Sequence, residues 1–381
     1  MQPHTPAPHP LLSHTPHRAA RTLFLLLAPA AFGLIYFTPP ARRVLLPTFA
    51  HVRATRAYPD GPALRTVYTG LPPLDALLAA LVAFFSATVD GADEPTRLFC
   101  VWFVPQLAPL LVLLHWEAGR VGGGWVARPT LFALAAQLVT AGAVLPLYFA
   151  AHLAAHPPAP APPRAQSAGA LAAAVALGFL LPSAALFLVP AGPAVSLDAK
   201  QVAAALWQPF PLYVAAIYRV LRPAKDEGTR TSVQRAYTLF GLLAAAAHWA
   251  VLAHTLRAPA AGTSFAHVFV PYPLHAPLGV APAPGALPAY RRAVRLLLQE
   301  DCLCAAGAAY AWFGYVRWRL ARGPFARWAA AMVFCTLVGG PGAAVAWAAV
   351  DREEAVGAVK ADAQVEVRGC QFEEKRDVRV S

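Results

Sequence analysis

The sequence predicts an all-α fold, a polytopic transmembrane helix bundle of about eight or nine helices, from composition, charge placement and the length of its apolar runs. Of its 381 residues, 58% are hydrophobic and only 13% charged, where an ordinary soluble domain carries about 25% charged residues. The charges gather between long apolar stretches, and the mean hydropathy is +0.49. Most stretches reach or approach the ~20 residues that cross a hydrocarbon core of about 30 Å. The alternating segments of about ten residues that build outer-membrane barrels are absent, which leaves helices to satisfy the backbone in lipid.

Residues 1–21 are rich in Pro and His and read as a disordered N-terminal tail. His4, His9, His14 and His17 fit solvated disorder better than a metal site. Arg18 and Arg21 precede the apolar run Leu23 to Phe37, which resembles a signal peptide with Ala28-Pro29-Ala30 as a cleavage site. Because many later runs support insertion, an uncleaved signal anchor is the better reading. Apolar runs follow at 74–89, 98–116, 129–151, 168–190, 201–221, 234–256, 293–316 and 328–350, so the bundle is expected over 22–350. Residues 351–381 form a charged C-terminal tail.

Several runs contain proline, namely Pro105, Pro109, Pro146, Pro182, Pro209 and Pro211. Each removes a backbone hydrogen bond and predicts a kink. Two long loops are expected, 38–73 with five arginines and the Pro-rich 257–292. The basic loops 222–232 and 317–327 fall on one side in a nine-span count, and the positive-inside rule makes that side cytosolic. The arginine-rich 38–73 loop and the tail then fall opposite. An eight-span count or a re-entrant segment removes the conflict, so orientation stays open.

The net charge is +12 and the pI about 9.9. In a soluble protein this would suggest nucleic acid. Here arginines flank apolar runs, where they meet anionic headgroups, and no nucleic-acid motif is present. Cys100, Cys335, Cys302 and Cys304 lie inside apolar runs and read as core residues. Cys-x-Cys on a helix splays its thiols by about 200°, which suits neither zinc nor a disulfide.

Ionisable groups inside spans are costly, at least about 2.5–3.5 kcal/mol each, so they are the first places to seek function. Asp75 and Asp90 bracket the second run, on one side of a helix and about 22 Å apart along its axis. Asp75 after Pro72-Pro73 is equally placed to cap a helix N-terminus. Glu117, three residues before Arg120, is either an interfacial salt bridge or an acid tuned by that arginine. Glu300 and Asp301 lie well inside the 293–316 run, beside Gln299 and before Tyr310 and Trp312. Adjacent carboxylates cannot share a helix face, so one is expected to point inward and the other toward Arg295 or the headgroups. An inward carboxyl in a dry pocket has the raised proton affinity a general acid needs; a polar tie between helices is the alternative.

Aromatic residues accompany these acids. An interfacial belt explains most of them, but not Trp207-Gln208-Pro209-Phe210 in mid-run. An aromatic-lined pocket with one protonated acid suits the folding of an isoprenoid and the stabilisation of cations. There is no Asp-rich diphosphate motif, Walker loop, Rossmann fingerprint or H-E-x-x-H, so no cofactor and no metal are expected.

The stretches LPPLDALLAALVAFF…VDG, LLHWEAGR, ALWQPFP, LLQEDCL and GGPGAAVAWAAVDREE, in this order, resemble a fungal family of multi-pass membrane proteins from terpenoid, meroterpenoid and indole-diterpene pathways. That family includes the ascofuranone/ascochlorin-type transmembrane terpene cyclases and the paxilline-pathway membrane proteins. The resemblance implies a metal-independent cyclase in which a carboxylic acid protonates a prenyl epoxide, rings close through cations, and a base removes a proton. Its motifs fall on Asp75, Asp90, Glu117, Trp207, Gln208, Gln299 and Asp301. Glu300 stands where the family pattern has an aromatic residue.

The expected catalytic residues are therefore Asp301 or Glu300 as acid, with Asp75, Asp90 or Glu117 as partner or terminal base. Trp207, Gln208, Gln299, Tyr310 and Trp312 are expected to bind substrate. The expected partners are the lipid bilayer, an isoprenoid or prenylated small molecule and other pathway enzymes, with no nucleic acid. The expected location is the endoplasmic reticulum membrane. A transporter of a lipophilic metabolite and a non-catalytic pathway scaffold are the competing readings.

Overall fold

A computed structural model describes residues 14–58, 61, 63–121, 123–155, 166–222, 230–257, 263–271, 287–320 and 324–380. Among them the fold is helical throughout, and extended pairing is limited to two isolated bridges, Ala57 with Ala63 and Gly192 with Val195. The order is α1 (His14–Tyr36), a π-helical turn (Ala41–Leu45), α2 (Leu46–Thr55), α3 (Pro72–Val89) and α4 (Glu94–Val121). Next come α5 (Pro129–Val139), α6 (Ala141–Ala155), α7 (Ala168–Val175), a π segment (Ala176–Leu180) and α8 (Leu181–Phe187). The chain continues through α9 (Leu197–Trp207), α10 (Phe210–Leu221), α11 (Arg230–Arg257), α12 (Phe265–Phe269), α13 (Leu287–Leu320) and α14 (Phe325–Val380).

The nine apolar runs map onto this order with two breaks. Among the described residues six helices are long and apolar enough to cross a membrane: Pro16–Tyr36, Pro72–Val89, Glu94–Val121, Ala168–Phe187, Arg230–Arg257 and Phe325–Ala358. The 34-residue α13 equals the longest of these in length, with Glu300 and Asp301 in its middle. The remaining two runs are each split. Run 129–151 breaks at Thr140, whose backbone lies at φ 84, and run 201–221 breaks at Gln208–Pro209. Proline explains the second break, since Pro209 and Pro211 remove two donors within three residues. It does not explain the first, because Pro146 sits undisturbed within α6.

Three other expectations need adjustment. Helix α1 already begins at His14, and His17 donates or accepts toward Tyr315 Oη at 3.0 Å, so part of the expected tail packs on the bundle; residues 1–13 lie outside the described set. The expected 38–73 loop contains α2 and its π-helical lead-in. At the far end, α14 does not stop at residue 350, and Arg352 and Glu353 project into the bundle. Most of the 257–292 loop lies outside the described residues.

Close packing is set by small residues, as expected where helices associate by van der Waals fit. A Cβ at Gly241 of α11 would meet Ala346 Cβ of α14 at 2.7 Å. The Gly339-Gly340-Pro341-Gly342 stretch kinks α14, with Gly340 at φ 82. Gln106 of α4 ties this kink to α11: its Oε1 accepts from Gly342 N–H at 2.8 Å, and its Nε2 donates to the Ala244 carbonyl at 2.9 Å. Both ends of the Gln106 amide are thereby paired, as a dry interior favours.

A candidate acid-bearing cavity

Between α1–α6, α8–α10 and α13 lies an apolar cavity of about 370 Å³, within the range of about 300–1,000 Å³ usual for small-molecule sites. Its wall is built of leucine, alanine and phenylalanine side chains, with Trp207 among them. Among the described residues Asp301 is the sole charged side chain in the wall; the other polar side chains there are Tyr36, Cys100, Gln137 and Thr140.

The backbone explains how Asp301 is held. Helix α5 ends at Thr140, a β-branched residue at φ 84 and ψ 150, a conformation that strains any residue with a Cβ. The chain restarts as α6 at Ala141, so the free amides of a new helix N-terminus face the carboxyl. Gly142 N–H donates to Asp301 Oδ1 at 2.5 Å, and the Ala141 N–H also faces the carboxyl. The Thr140 hydroxyl lies beside the carboxyl without meeting hydrogen-bond geometry. Only glycine permits this approach, since a Cβ at 142 would stand 2.6 Å from Cys304 Cβ and 2.9 Å from the Asp301 carbonyl oxygen.

The two adjacent acids do point apart. Asp301 is buried, while Glu300 is half-buried, outside the cavity wall, with Oε2 lacking a partner among the described residues. Arg295, expected beside one of them, instead pairs with Asp93 at 2.8 Å.

Apart from Trp207, the other expected residues are not brought to the cavity. Asp75 accepts from the backbone N–H groups of Tyr68, Thr69 and Gly70 at 3.0, 2.7 and 3.1 Å, fixing the turn ahead of α3. Asp90 pairs with Arg291 at 2.6 Å. Burial pushes the Asp90 carboxyl above its ordinary value, against the Ala92 N–H and the Arg291 charge, which pull it down. Gln299 donates to the Val268 carbonyl at 2.8 Å and so anchors α12. Tyr310 meets Thr336 Oγ1 at 2.8 Å. Gln208 is buried, with both amide atoms unpartnered among the described residues. Trp207 does line the cavity; its indole N–H donates to Ser183 Oγ at 2.8 Å, which fixes the ring.

Glu117, itself fully buried, belongs to a separate ionic cluster. Arg352 Nη1 and Nη2 approach its two oxygens at 2.6 and 2.9 Å, Arg120 Nε lies at 3.1 Å and His152 Nε2 at 3.2 Å. Arg120 also pairs with Glu353. The expected Glu117–Arg120 bridge is therefore present, but it is buried and extended by two residues from the far end of the chain. Trp312 packs here, with the Arg352 guanidinium 5.1 Å over its ring. Thr140 and Gly142 escape sequence reasoning because neither carries a chemical group that marks it. Arg352 and Glu353 were visible as charges but assigned to a tail. Among the described residues no three His, Cys, Asp or Glu side chains group to hold a metal ion.

Fold and site together define a helical bundle, apolar enough to cross a membrane, with an apolar cavity whose wall holds one carboxyl among the described residues. The model of the CtvD domain matches residues 20–357, and the chain belongs to that family. It is similar to terpene cyclase ascI of Acremonium egyptiacum, 33% identical over 39% of this chain and 40% of the relative. Terpene cyclase ctvD of Aspergillus terreus is 30% identical over 39% and 45%, and terpene cyclase atmA of Aspergillus flavus 28% identical over 52% and 56%. The chain thus spans about half the length of the curated relatives it matches. No solved structure matches it.

Proposed function

We propose that this protein is an integral membrane terpene cyclase, placed in the endoplasmic reticulum, that cyclises an (epoxy)prenyl chain by acid initiation in secondary-metabolite biosynthesis. The observation that carries the reading is the carboxyl of Asp301, the one carboxyl among the described residues in the wall of a predominantly apolar cavity. The walls suit a hydrocarbon chain, and a cavity of about 370 Å³ lies within the range of about 300–1,000 Å³ usual for small-molecule sites. Asp301 acts as general acid on the epoxide oxygen, and the dry wall keeps water from the cations that follow. Family membership and relatives named as terpene cyclases support the same chemistry. The substrate reaches the site dissolved in the bilayer, supplied by neighbouring pathway enzymes.

Microsomes carrying the chain, given a farnesylated phenol with a terminal epoxide, are expected to form a cyclic product. Asp301→Asn is expected to abolish it, by at least about 100-fold, while the protein still inserts. Undiminished turnover by that variant refutes the assignment of the acid. Substrate-dependent proton flux in sealed vesicles, without product, would instead indicate a transporter. Product formation that survives loss of every embedded acid would indicate a scaffold.

A further inference from the structure

A cyclisation started by a proton must also end by losing one, and the cavity limits where that second proton goes. Among the described residues, Asp301 is the sole carboxylate in its wall. The acids expected as terminal base are engaged elsewhere: Asp75 with the 68–70 turn, Asp90 with Arg291, and Glu117 with Arg120 and Arg352. The remaining polar wall residues, Tyr36, Cys100, Gln137 and Thr140, are neutral and poor bases near neutral pH. Any cation formed in this space has one good proton acceptor beside it.

We propose that Asp301 both donates the first proton and takes up the last, so that one carboxyl runs the whole proton cycle. The proposal rests on the cyclase reading above. In the opening step the Asp301 proton passes to the epoxide oxygen; a C–O bond breaks, its electron pair going to oxygen, and a hydroxyl results. An alkene π pair forms the new C–C bond and leaves a cation on the far alkene carbon. In the closing step a neighbouring C–H pair becomes the new alkene, and its proton returns to the Asp301 carboxylate. The sum is an isomerisation that needs no oxidant, reductant or second acid.

The structure suits both halves of this cycle. An apolar wall favours the neutral acid at the start. Between the two steps, the Gly142 N–H on Oδ1 and the N-terminus of α6 stabilise the carboxylate that must wait for the closing proton. The geometric consequence is that the chain must curl, bringing its first and last reacting carbons to the same carboxyl.

The test uses the full chain in microsomes with the epoxy-farnesyl phenol. In Asp301→Glu the carboxyl advances by one methylene, so epoxide consumption should fall by about tenfold or more and the position of the terminal double bond, or the share of water-captured product, should change with it. Slower consumption with the wild-type double-bond position and no water capture would show a separate base and overturn the cycle. If the variant does not accumulate, the wild-type pH profile decides. Activity should fall on the alkaline limb alone, as the acid loses its proton. An acid limb that disappears in Asp75→Asn, Asp90→Asn or Glu117→Gln overturns the proposal. No epoxide consumption by inserted wild type overturns the cyclase reading, and the cycle with it.

Discussion

Replacing Gly142 by alanine tests how the acid is held. The added Cβ would stand 2.6 Å from Cys304 Cβ, 2.9 Å from the Asp301 carbonyl oxygen and 3.0 Å from Asp301 Oδ1. Carbon atoms in contact prefer about 3.5–4.0 Å, so α6 and α13 must separate by about 1 Å. The first two neighbours are a Cβ and a backbone atom, which cannot swing aside as the end of a flexible side chain does. Overpacking of this kind costs about 1–3 kcal/mol, offset in part by alanine's helix preference of about 1 kcal/mol. The same movement stretches the 2.5 Å Gly142–Asp301 hydrogen bond, and a bond to a charged group contributes about 1.5–3 kcal/mol. At about 1.4 kcal/mol per tenfold, the expected loss of cyclisation rate is about 10- to 100-fold. The assay is turnover of the epoxy-farnesyl phenol in microsomes, read beside thermal unfolding of the solubilised protein. Cys304→Gly removes the colliding Cβ, so the double variant should recover part of both losses. Wild-type rate and stability in Gly142→Ala alone would refute the reasoning, because the carboxyl would then not depend on that backbone contact.

Arg352→Ala leaves Glu117 buried without its two-pronged partner; stranding a buried charge costs about 3–5 kcal/mol, and less here because Arg120 and His152 stay at 3.1 and 3.2 Å. A large fall in the thermal midpoint is expected, and an unchanged midpoint would contradict the burial of that cluster. Asp90 supplies a pH dependence. Burial raises its folded-state value, so the folded chain binds the proton more tightly than the unfolded one. Its contribution is therefore fully present at low pH and is lost as pH rises through the raised value. Asp90→Asn should flatten that part of the stability–pH curve, measured by thermal unfolding; an unaltered slope counts against the assignment.

The sequence by itself determined the helical class, the positions of most apolar segments and the presence of acids among them, because these depend on local composition and length. Period and hydropathy are properties of a segment. It also narrowed the inward acid to Glu300 or Asp301, since two adjacent carboxylates cannot share a helix face. Which of the two faces the cavity depends on the partner helix: the choice falls to Asp301 because α6 restarts beside it and offers the Gly142 amide. That restart follows from a strained backbone at Thr140, which no proline or glycine at that position announces.

The same division explains Asp75, Asp90 and Glu117. Their charges were plain in the chain, but their partners, the 68–70 turn, Arg291 and Arg352, lie up to 235 residues away in sequence. Burial in a dry bundle requires each such charge to be paired, and pairing across that separation is decided only when the helices pack. The segment that composition marks as a charged tail is, for the same reason, drawn inward at Arg352 and Glu353 to neutralise Glu117 and Arg120. Segment by segment, then, composition specified an apolar bundle with internal acids. Tertiary packing alone left just one of those acids facing the cavity.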